Sequence, residues 1–345
     1  MFDVIKILFL TSLSFLVAVF ITPALTHFLY KYKLGKRIRD SKVAPIFSKL
    51  HSKKSGTPTM GGILIWLTVL ILSVLFFYFS KIFNGFWSEL NFLTRSQTLL
   101  PLGVLIVSAL VGLIDDYLDV RGQGPDGRGF RMGQRLILYT LIAIVGALWF
   151  YFKLDWDTIR VPFFGTYAIG FWYIPIFVLI IVSTAFSVNE ADGLDGLAGG
   201  ILLTSFGAYG AIAFVQGRVE LAAFCGVIVG ALLAFLWFNI NPARFFMGDT
   251  GAMALGVTLG VIAMLTNYAL LLPIICFLLV IESGSVIIQI LSKKIRKKKI
   301  FHSTPIHHHL EAIGWSEPKI VMRFWVISGV SAVMGLILVL LDRGL

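Results

Sequence analysis

The acids, amides and histidines of this sequence are concentrated in a few short polar segments between long apolar runs. The candidates for chemistry are Asp115 and Asp116; Asn189, Asp192 and Asp195; Asn239 and Asp249; and His307, His308 and His309. Carboxylate oxygens are the hard ligands that Mg²⁺ prefers, and Mg²⁺ usually combines a few carboxylates with phosphate oxygens and water. Asp115, Asp116 and Asp249 therefore predict metal-assisted chemistry on a phosphate-bearing substrate.

Two other interpretations of these segments are weaker. Neighbouring histidines in His307–His309 cannot all face one ion and have no cysteine nearby, which argues against a zinc site. The acids and glycines of Asp192–Gly196 and Gly248–Gly251 are also residue types that commonly cap helices. Because they occur together with the Asp pair and the histidines, we interpret these glycines as sites of close backbone approach, where helix N-termini attract a diphosphate.

The elements that must position these segments are apolar helices. The 345-residue chain is 58% hydrophobic and only 14% charged, whereas soluble proteins average about 25% charged residues. Apolar runs of about 18 to 25 residues recur along the chain, each long enough to cross about 30 Å of hydrocarbon as a helix. The sequence thus predicts an all-α polytopic membrane protein in which residues 1–345 form a single integral membrane domain. About ten transmembrane helices are expected, near residues 4–30, 60–80, 99–118, 135–152, 171–188, 196–215, 219–238, 250–266, 268–292 and 320–341.

Basic residues determine the expected orientation of these helices. Lys and Arg number 29 against 18 Asp and Glu, and in a membrane protein this excess marks cytoplasmic loops rather than a nucleic-acid partner. The segment Lys31–Thr59 carries nine Lys or Arg against Asp40 alone, and Lys293–Lys299 carries six in seven residues. Both segments are therefore expected in the cytoplasm. It follows that both termini are extracytoplasmic, that the polar candidates meet at the cytoplasmic face, and that Asp155–Tyr167 forms a small external hairpin.

Six motifs occur in an order that is typical of one superfamily. They are Lys54–Gly62 (KSGTPTMGG), Asp115–Asp116, Asp192–Ala198 (DGLDGLA), Phe246–Gly251 (FMGDTG), Glu282–Gln289 and Pro305–His309 (PIHHH). With these motifs the chain resembles the polyprenyl-phosphate N-acetylhexosamine-1-phosphate transferase superfamily over nearly its whole length. The Pro-Ile-His-His-His form favours the branch that uses a MurNAc-pentapeptide donor.

The resemblance implies a multi-pass enzyme of peptidoglycan synthesis in the bacterial cytoplasmic (inner) membrane. Its donor would be UDP-MurNAc-pentapeptide, its acceptor undecaprenyl phosphate and its products lipid I and UMP, with Mg²⁺ as cofactor and a homodimer as the assembly. The family patterns leave open whether an acid of the Asp pair acts as a general base or as a covalent nucleophile. Because a phosphate monoester has a second pKa of about 6, the acceptor is already largely dianionic at neutral pH. We therefore hypothesise that the acceptor phosphate attacks the donor directly, and that positioning of the substrates contributes more to catalysis than a general base does.

The residue roles that the resemblance implies fall into two groups. The catalytic set is Asp115, Asp116, Asp249 and His308, with Asp249 as the metal ligand. The substrate-binding set is Lys54, Arg135, Asn189, Asp192, Asp195, Asn239, Phe246, Gln289, His307 and His309. Phe246 is the candidate stacking face for the uridine nucleotide, with ordinary helix-end packing as the alternative. His308 as an imidazolium would hold a phosphate oxygen, with a role in folding its loop as the alternative.

The chain departs from the family pattern at several positions. Asp119 stands where the family usually has Lys, Arg135 stands where a second Lys is common, and Phe186 and Ala191 replace polar residues near the nucleotide loop. An arginine keeps the charge of a lysine and can grip phosphate through two donors. We therefore predict that Arg135 or Arg121 compensates for the negative charge of Asp119.

Two other functions remain open from the sequence. One is a sister enzyme that transfers GlcNAc-1-phosphate or a related sugar phosphate to a polyprenyl phosphate. The other is an anion transporter, which typically has broken helices, repeated halves and a site near the middle of the bilayer. The expected position of the acids at one membrane face favours the enzyme.

Overall fold

The computed structural model describes residues 1–35, 54–124 and 129–344. Long helices account for most of this part of the chain, because the apolar runs satisfy their backbone hydrogen bonds internally. The helices are α1 (Phe2–Lys31), α2 (Ile63–Ile82), α3 (Phe86–Glu89), α4 (Leu99–Arg121), α5 (Met132–Lys153), α6 (Tyr173–Ala191), α7 (Leu197–Val215), α8 (Val219–Asn239), α9 (Asp249–Leu265), α10 (Leu272–Ile275), α11 (Phe277–Ile295), α12 (Ile306–Ala312) and α13 (Glu317–Gly344). Short 3-10 turns cover Gly170–Trp172 and Ala269–Leu271. Most of the basic residues predicted for the first cytoplasmic loop lie outside the described residues.

The helices confirm an all-α polytopic membrane protein. In the described ranges, eight helices are long and apolar enough to cross a membrane. The predicted helix near 268–292 is instead two helical pieces, Ala269–Ile275 and Phe277–Ile295, bent by 85°. The predicted single helix misses this bend, although Pro273 lies three residues before the break at Cys276 and kinks usually occur at Pro or Gly.

The shortest of the predicted helices lies at the centre of the bundle. α9 has 17 residues, and every residue from Thr250 to Leu265 is buried. It packs against α4 and α6, where small residues let the backbones approach closely. A Cβ atom added at Gly256 would lie 2.7 Å from the Cα atom of Ala185, and one at Gly112 would collide with the backbone carbonyl of Asp249. The amino end of α9 is thereby held against the carboxyl end of α4.

A two-stranded hairpin is present where one was predicted in Asp155–Tyr167. Strands β1 (Thr158–Val161) and β2 (Gly165–Ala168) pair antiparallel. The hairpin binds the end of the last helix, because Arg160 Nε lies 2.6 Å from Asp342 Oδ2 and the backbone amide of Phe163 donates to Asp342 Oδ1 at 2.5 Å. The C-terminal helix therefore ends beside the connection between α5 and α6.

The N-terminal helix begins at this same end of the bundle. The ammonium of Lys6 donates to the backbone carbonyl of Asn91 at 2.8 Å, in the connection that leads into α4. Because α4 runs from there toward Asp115, and α5 returns from Arg135 to the hairpin, both chain termini lie at the end opposite to Asp115 and Arg135.

Candidate functional site

Four helices bring polar side chains together around one guanidinium group. Arg135 from α5 has Nε 2.8 Å from Asp115 Oδ2 on α4, and a terminal nitrogen 2.8 Å from Asp249 Oδ2 on α9. Its other terminal nitrogen donates to Asn189 Oδ1 on α6 at 3.2 Å, and the amide of Asn189 donates to Asp249 Oδ1. We call Asp115, Arg135, Asn189 and Asp249 the acidic cluster. Two carboxylates share one cation here, so the cluster keeps a net negative charge.

The contact between Asp115 Oδ2 and Arg135 Nε is an ion pair that lacks the geometry of a hydrogen bond. Asp115 Oδ2 and Arg135 Nε are fully buried, and neither has a hydrogen-bond partner of acceptable geometry among the described residues. Asp115 Oδ1, in contrast, accepts the backbone N–H of Phe130 at 2.5 Å. A buried polar atom that lacks a hydrogen bond is costly. The acidic cluster therefore has unused donor and acceptor capacity at its centre.

The second acid of the pair has a different environment. Asp116 Oδ1 accepts the backbone N–H of Asp249 at 3.1 Å, and Asp116 Oδ2 accepts that of Thr250 at 3.0 Å. The hydroxyl of Thr59 donates to the same carboxylate at 3.3 Å. A carboxylate at a helix N-terminus satisfies free N–H groups and interacts favourably with the helix dipole. Asp116 therefore holds the first turn of α9, which carries Asp249.

The residue before Asp249 has to be glycine for this arrangement. Gly248 has φ +73°, and a Cβ atom there would lie 2.5 Å from Asp116 Oδ2 and 2.6 Å from the Thr59 hydroxyl oxygen. Only glycine adopts this backbone conformation without strain and leaves that space open. The Gly–Asp–Thr–Gly motif is thus explained by its contact with Asp116.

The loop between α6 and α7 connects the acidic cluster to two further groups. Asp192 Oδ2 accepts the backbone N–H of Gly248 at 3.2 Å. Gly193 packs so closely on His307 that a Cβ atom would collide with its ring. Asp195 Oδ1 lies 2.6 Å from Lys54 Nζ. Successive residues of one loop therefore contact the α9 terminus, the histidine segment and the lysine segment.

Lys54 lies between two carboxylates. Besides Asp195, its ammonium contacts Glu317 Oε1 at 2.5 Å, and Glu317 Oε1 also accepts the backbone N–H of Asp195 at 2.7 Å. The ammonium lies 5.8 Å from the ring centroid of Phe246, a distance at which cation–π attraction operates. The half-buried Phe246 is fixed by its backbone, which accepts from Gly61 N–H at 2.8 Å. Lys54 and Phe246 thus form one side of the site.

The three histidines have three different environments. His307 and Glu282 are both fully buried, with His307 Nδ1 2.8 Å from Glu282 Oε2. Burial is the largest single effect and lowers the pKa of His307, but the charge and hydrogen bond of Glu282, together with the nearby carboxylates of Glu311 and Glu190, raise the pKa overall. His308 Nδ1 lies 2.7 Å from Glu311 Oε2. His309 Nδ1 accepts the backbone N–H of His302 at 3.2 Å.

Two of the three predicted amide residues, Asn239 and Gln289, bind backbone groups. Asn239 accepts the N–H of Gly196 at 2.9 Å and donates to the carbonyl of Phe245 at 2.8 Å. Gln289 accepts from the N–H groups of Ile300 and Phe301 at 2.9 and 3.1 Å and donates to the carbonyl of Phe301 at 2.9 Å. Both amides therefore fix the loops that carry other candidate residues.

The residues that the sequence analysis did not assign are mainly glutamates. Glu282, Glu311 and Glu317 bind His307, His308 and Lys54 respectively. A signal existed for Glu282, because a lone acid within an apolar helix needs a partner. No such signal existed for Glu317, since an acid in the first turn of a helix is ordinary.

Of the two arginines expected to compensate for Asp119, Arg135 lies in the acidic cluster, whereas Arg121 lies over the Tyr117 ring, 5.3 Å from its centroid.

The acidic cluster offers a limited set of metal ligands. In residues 1–35, 54–124 and 129–344, no three His, Cys, Asp or Glu residues are grouped so that they could hold a metal ion. Asp115 and Asp249 nevertheless place two carboxylates against one cationic group. Mg²⁺ is commonly held by one or two carboxylates and completed by substrate phosphates and water. The residues therefore fit Mg²⁺ as an ion shared with a substrate, and do not fit a closed metal centre made of protein alone.

Comparison with known proteins identifies the family of this chain. Residues 98–267 match the family model described as Glycosyl transferase family 4, and residues 54–65 match Phospho-N-acetylmuramoyl-pentapeptide-transferase signature 1. The phospho-N-acetylmuramoyl-pentapeptide-transferase of Chloroflexus aggregans is 40% identical, over 98% of this chain and 91% of the relative. The enzymes of that name from a Geobacillus species and Bacillus subtilis are 40% and 38% identical, over 94% and 96% of this chain and 95% and 97% of their own lengths. The chain belongs to the phospho-N-acetylmuramoyl-pentapeptide-transferase family.

Proposed function

We propose that this protein transfers phospho-MurNAc-pentapeptide from UDP-MurNAc-pentapeptide to undecaprenyl phosphate in the bacterial inner membrane. The products are lipid I and UMP, and the reaction belongs to peptidoglycan synthesis. The proposal rests on membership of a family whose named members carry out this type of transfer. The observation that carries it furthest is the convergence of Asp115, Asn189 and Asp249 from three helices on the Arg135 guanidinium.

The chemistry exchanges one phosphoanhydride for another. An oxygen of the acceptor phosphate attacks the sugar-side phosphorus, a new P–O bond forms, and the bond to the UMP oxygen breaks with its electron pair. No ATP is needed, since the donor already contains the diphosphate. The difficulty is the approach of two anions, which a site must offset with cations and fixed donors.

The acidic cluster is the group we assign to the reacting phosphates. Asp249 would hold Mg²⁺, with Asp115 beside it. When bound, Mg²⁺ neutralises the diphosphate and stabilises charge on the leaving UMP. Arg135 is the protein's own cation at this point, where its guanidinium contacts Asp115, Asn189 and Asp249. Direct attack requires no free carboxylate on Asp116, which is already bound to two backbone N–H groups.

The remaining candidate residues hold the two substrates around this centre. Phe246 with Lys54 at its edge is the proposed stacking face for the uridine, while Asp192 and Asp195 keep the adjoining loop in place. His308 is the proposed contact to a phosphate oxygen, and His307 positions it from the neighbouring buried pair with Glu282. Asn239, Gln289 and His309 support the site through the loop backbones that they bind.

We also propose a topology of ten spans, with both termini extracytoplasmic and the acidic cluster at the cytoplasmic face of a homodimer subunit. Support comes from the basic segment Lys293–Lys299, which follows α11 at the end of the bundle that holds the histidine segment. The positive-inside rule places such a segment in the cytoplasm. The chain termini lie at the opposite end of the bundle, as an even number of spans requires.

Two alternative functions compete with this proposal. A GlcNAc-1-phosphate transferase would use the same phosphate chemistry and differ only in the donor. A transporter would need polar groups at its helix break, but Leu272–Val280, which contains the 85° bend, consists of apolar residues only. The carboxylates of the acidic cluster instead lie together at one end of the bundle, which favours the enzyme.

The decisive experiment is an assay of UMP release by the purified full-length protein with undecaprenyl phosphate. We expect Mg²⁺-dependent release from UDP-MurNAc-pentapeptide and not from UDP-GlcNAc. Asp249→Asn should reduce turnover by at least about 100-fold, as expected for loss of a group that stabilises transition-state charge. Asp155→Asn, at the hairpin end, is the matched control and should remain active. Release from UDP-GlcNAc alone would identify the sister activity, and release from neither donor would contradict the proposal.

A further inference from the structure

A second polar site lies on a different flank of the bundle, between α1 and α8. It is an open groove of about 780 Å³ lined by Thr22, Pro23, Thr26, His27, Tyr30, Lys31, Phe238 and Arg244. The lining contains two fixed cations and an imidazole and no acid. Among the described residues, neither Lys31 nor Arg244 has an ion-pair partner. The groove therefore presents uncompensated positive charge.

The groove continues into an apolar stripe along α1. Leu16, Phe20, Pro23, His27 and Lys31 follow one another at intervals of three or four residues, which places them on one face of the helix. Leu16 is 60% and Phe20 87% exposed. The stripe therefore changes along its length from exposed apolar side chains to cationic ones.

Two contacts fix the cationic end of the groove. The Tyr30 hydroxyl donates to the backbone carbonyl of Arg244 at 3.0 Å, and the Arg244 guanidinium lies 5.7 Å from the ring centroid of Phe238. Arg244 belongs to the α8–α9 connection, which also supplies Phe246 and leads to Asp249 at the start of α9. The groove thus opens at the same end of the bundle as the acidic cluster, where lipid headgroups meet the protein.

From these features we infer that the groove binds an anionic phospholipid of the bilayer, with its phosphate between Lys31 and Arg244 and an acyl chain along Leu16 and Phe20. Cationic pockets between membrane helices recognise acidic headgroups in this way. A free phosphate ion would make no use of the apolar stripe. This lipid is distinct from the reacting acceptor, because the groove is formed by α1 and α8, whereas α4, α5, α6 and α9 supply the acidic cluster.

The inference can be tested by titrating the detergent-solubilised full-length protein with phosphatidylglycerol and measuring Kd by native mass spectrometry. One nearby Lys or Arg contributes about fivefold to binding of an acidic headgroup. The double variant Lys31→Gln/Arg244→Gln should therefore raise Kd by about 25-fold. The matched control, Lys293→Gln/Lys294→Gln, removes two exposed charges at the same end of the bundle and should change Kd by less than about twofold. Phosphatidylcholine should bind the wild-type protein and both variants with equal affinity.

Further control experiments distinguish binding of this lipid from binding of other anions, and loss of binding from loss of folding. The charge-preserving variant Lys31→Arg/Arg244→Lys should retain binding, and helicity measured by circular dichroism should be the same in all variants. If the double Gln variant does not fold, Arg244→Gln alone should raise Kd by about fivefold. The inference is overturned by equal losses in both double Gln variants, by displacement of the lipid by inorganic phosphate, or by a groove that binds polyprenyl phosphate in preference to phosphatidylglycerol.

Discussion

The backbone N–H of Asp249 donates to the carboxylate of Asp116 at 3.1 Å, so one acid of the pair on α4 determines where the acid on α9 lies. The Thr250 N–H binds the other oxygen of Asp116 at 3.0 Å, which leaves this carboxylate with no rotational freedom. Asp115 and Asp116, although adjacent, therefore have separate tasks. Asp115 faces Arg135, and Asp116 builds the helix terminus on which Asp249 stands.

This relationship predicts different stability effects at Asp116 and Asp249. We expect Asp116→Ala to lower the free energy of unfolding by about 1 to 2 kcal/mol, because a helix-capping carboxylate is lost. Asp249→Asn should leave stability nearly unchanged while it abolishes turnover. Thermal unfolding in detergent together with UMP release measures both effects. Equal destabilisation by the two variants would contradict the division of tasks, and Asp119→Asn, one turn further along α4, is the control.

The Arg135 guanidinium lies between the carboxylates of Asp115 and Asp249, where a divalent cation would bind. We expect Arg135→Gln to bind Mn²⁺, a probe for Mg²⁺, more tightly than the wild-type protein, because the competing guanidinium is removed. Turnover should nevertheless fall by about 100-fold, since a donor to the reacting phosphates is lost. Arg135→Lys should keep the charge but not the contacts to Asp115, Asn189 and Asp249 together, and should have intermediate turnover.

Metal affinity of these variants can be measured by electron paramagnetic resonance of bound Mn²⁺, independently of catalysis. Arg121→Gln is the matched control, because Arg121 lies over the Tyr117 ring rather than in the acidic cluster. Unchanged Mn²⁺ affinity in Arg135→Gln would show that the guanidinium and the metal do not compete.

The sequence was sufficient to predict the helical segments, because apolar runs bounded by polar residues define membrane helices directly. It was also sufficient to select Asp115, Asn189 and Asp249, since carboxylates and amides that end apolar runs need partners. It could not reveal that Asp116 and Asn239 bind backbone N–H groups. Those bonds depend on how α4 meets α9 and how α8 meets the start of α7, and the sequence contains no local pattern for such contacts. The bend at Cys276 was missed although Pro273 precedes it by three residues, because a proline is also compatible with a continuous membrane helix, as Pro23 is in α1.

The buried pair of His307 and Glu282 predicts a dependence of stability on pH. The pKa of His307 is raised in the folded protein, so the stabilisation is fully present below the unfolded value of about 6.5. It is lost as the pH rises through the folded pKa. We expect the melting temperature of the wild-type protein to fall as the pH rises from about 6.5 through the folded pKa of His307. The melting temperature of Glu282→Gln should be lower and should vary less with pH.

The size of this effect follows from burial. Removal of one partner of a buried ion pair costs about 3 to 5 kcal/mol, so Glu282→Gln should be destabilised by that order below pH 6.5, the ordinary pKa of histidine. His302→Gln, which replaces an exposed histidine, serves as the control and should follow the wild-type pH profile. A profile for Glu282→Gln parallel to that of the wild type would show that the pair is not charged.

The contact of Lys54 with both Asp195 and Glu317 predicts strong coupling between these residues. In Lys54→Gln the carboxylates of Asp195 and Glu317 remain close together without a cation between them, because Glu317 Oε1 is also bound to the Asp195 N–H. We therefore expect Lys54→Gln to be more destabilised than Glu317→Gln. The double variant should be more stable than the sum of the single losses predicts, with a coupling energy of about 1 to 3 kcal/mol. Urea unfolding of the four proteins measures this cycle. If the losses are additive, the ammonium does not hold the two carboxylates together, and the placement of Lys54 beside Phe246 needs another cause.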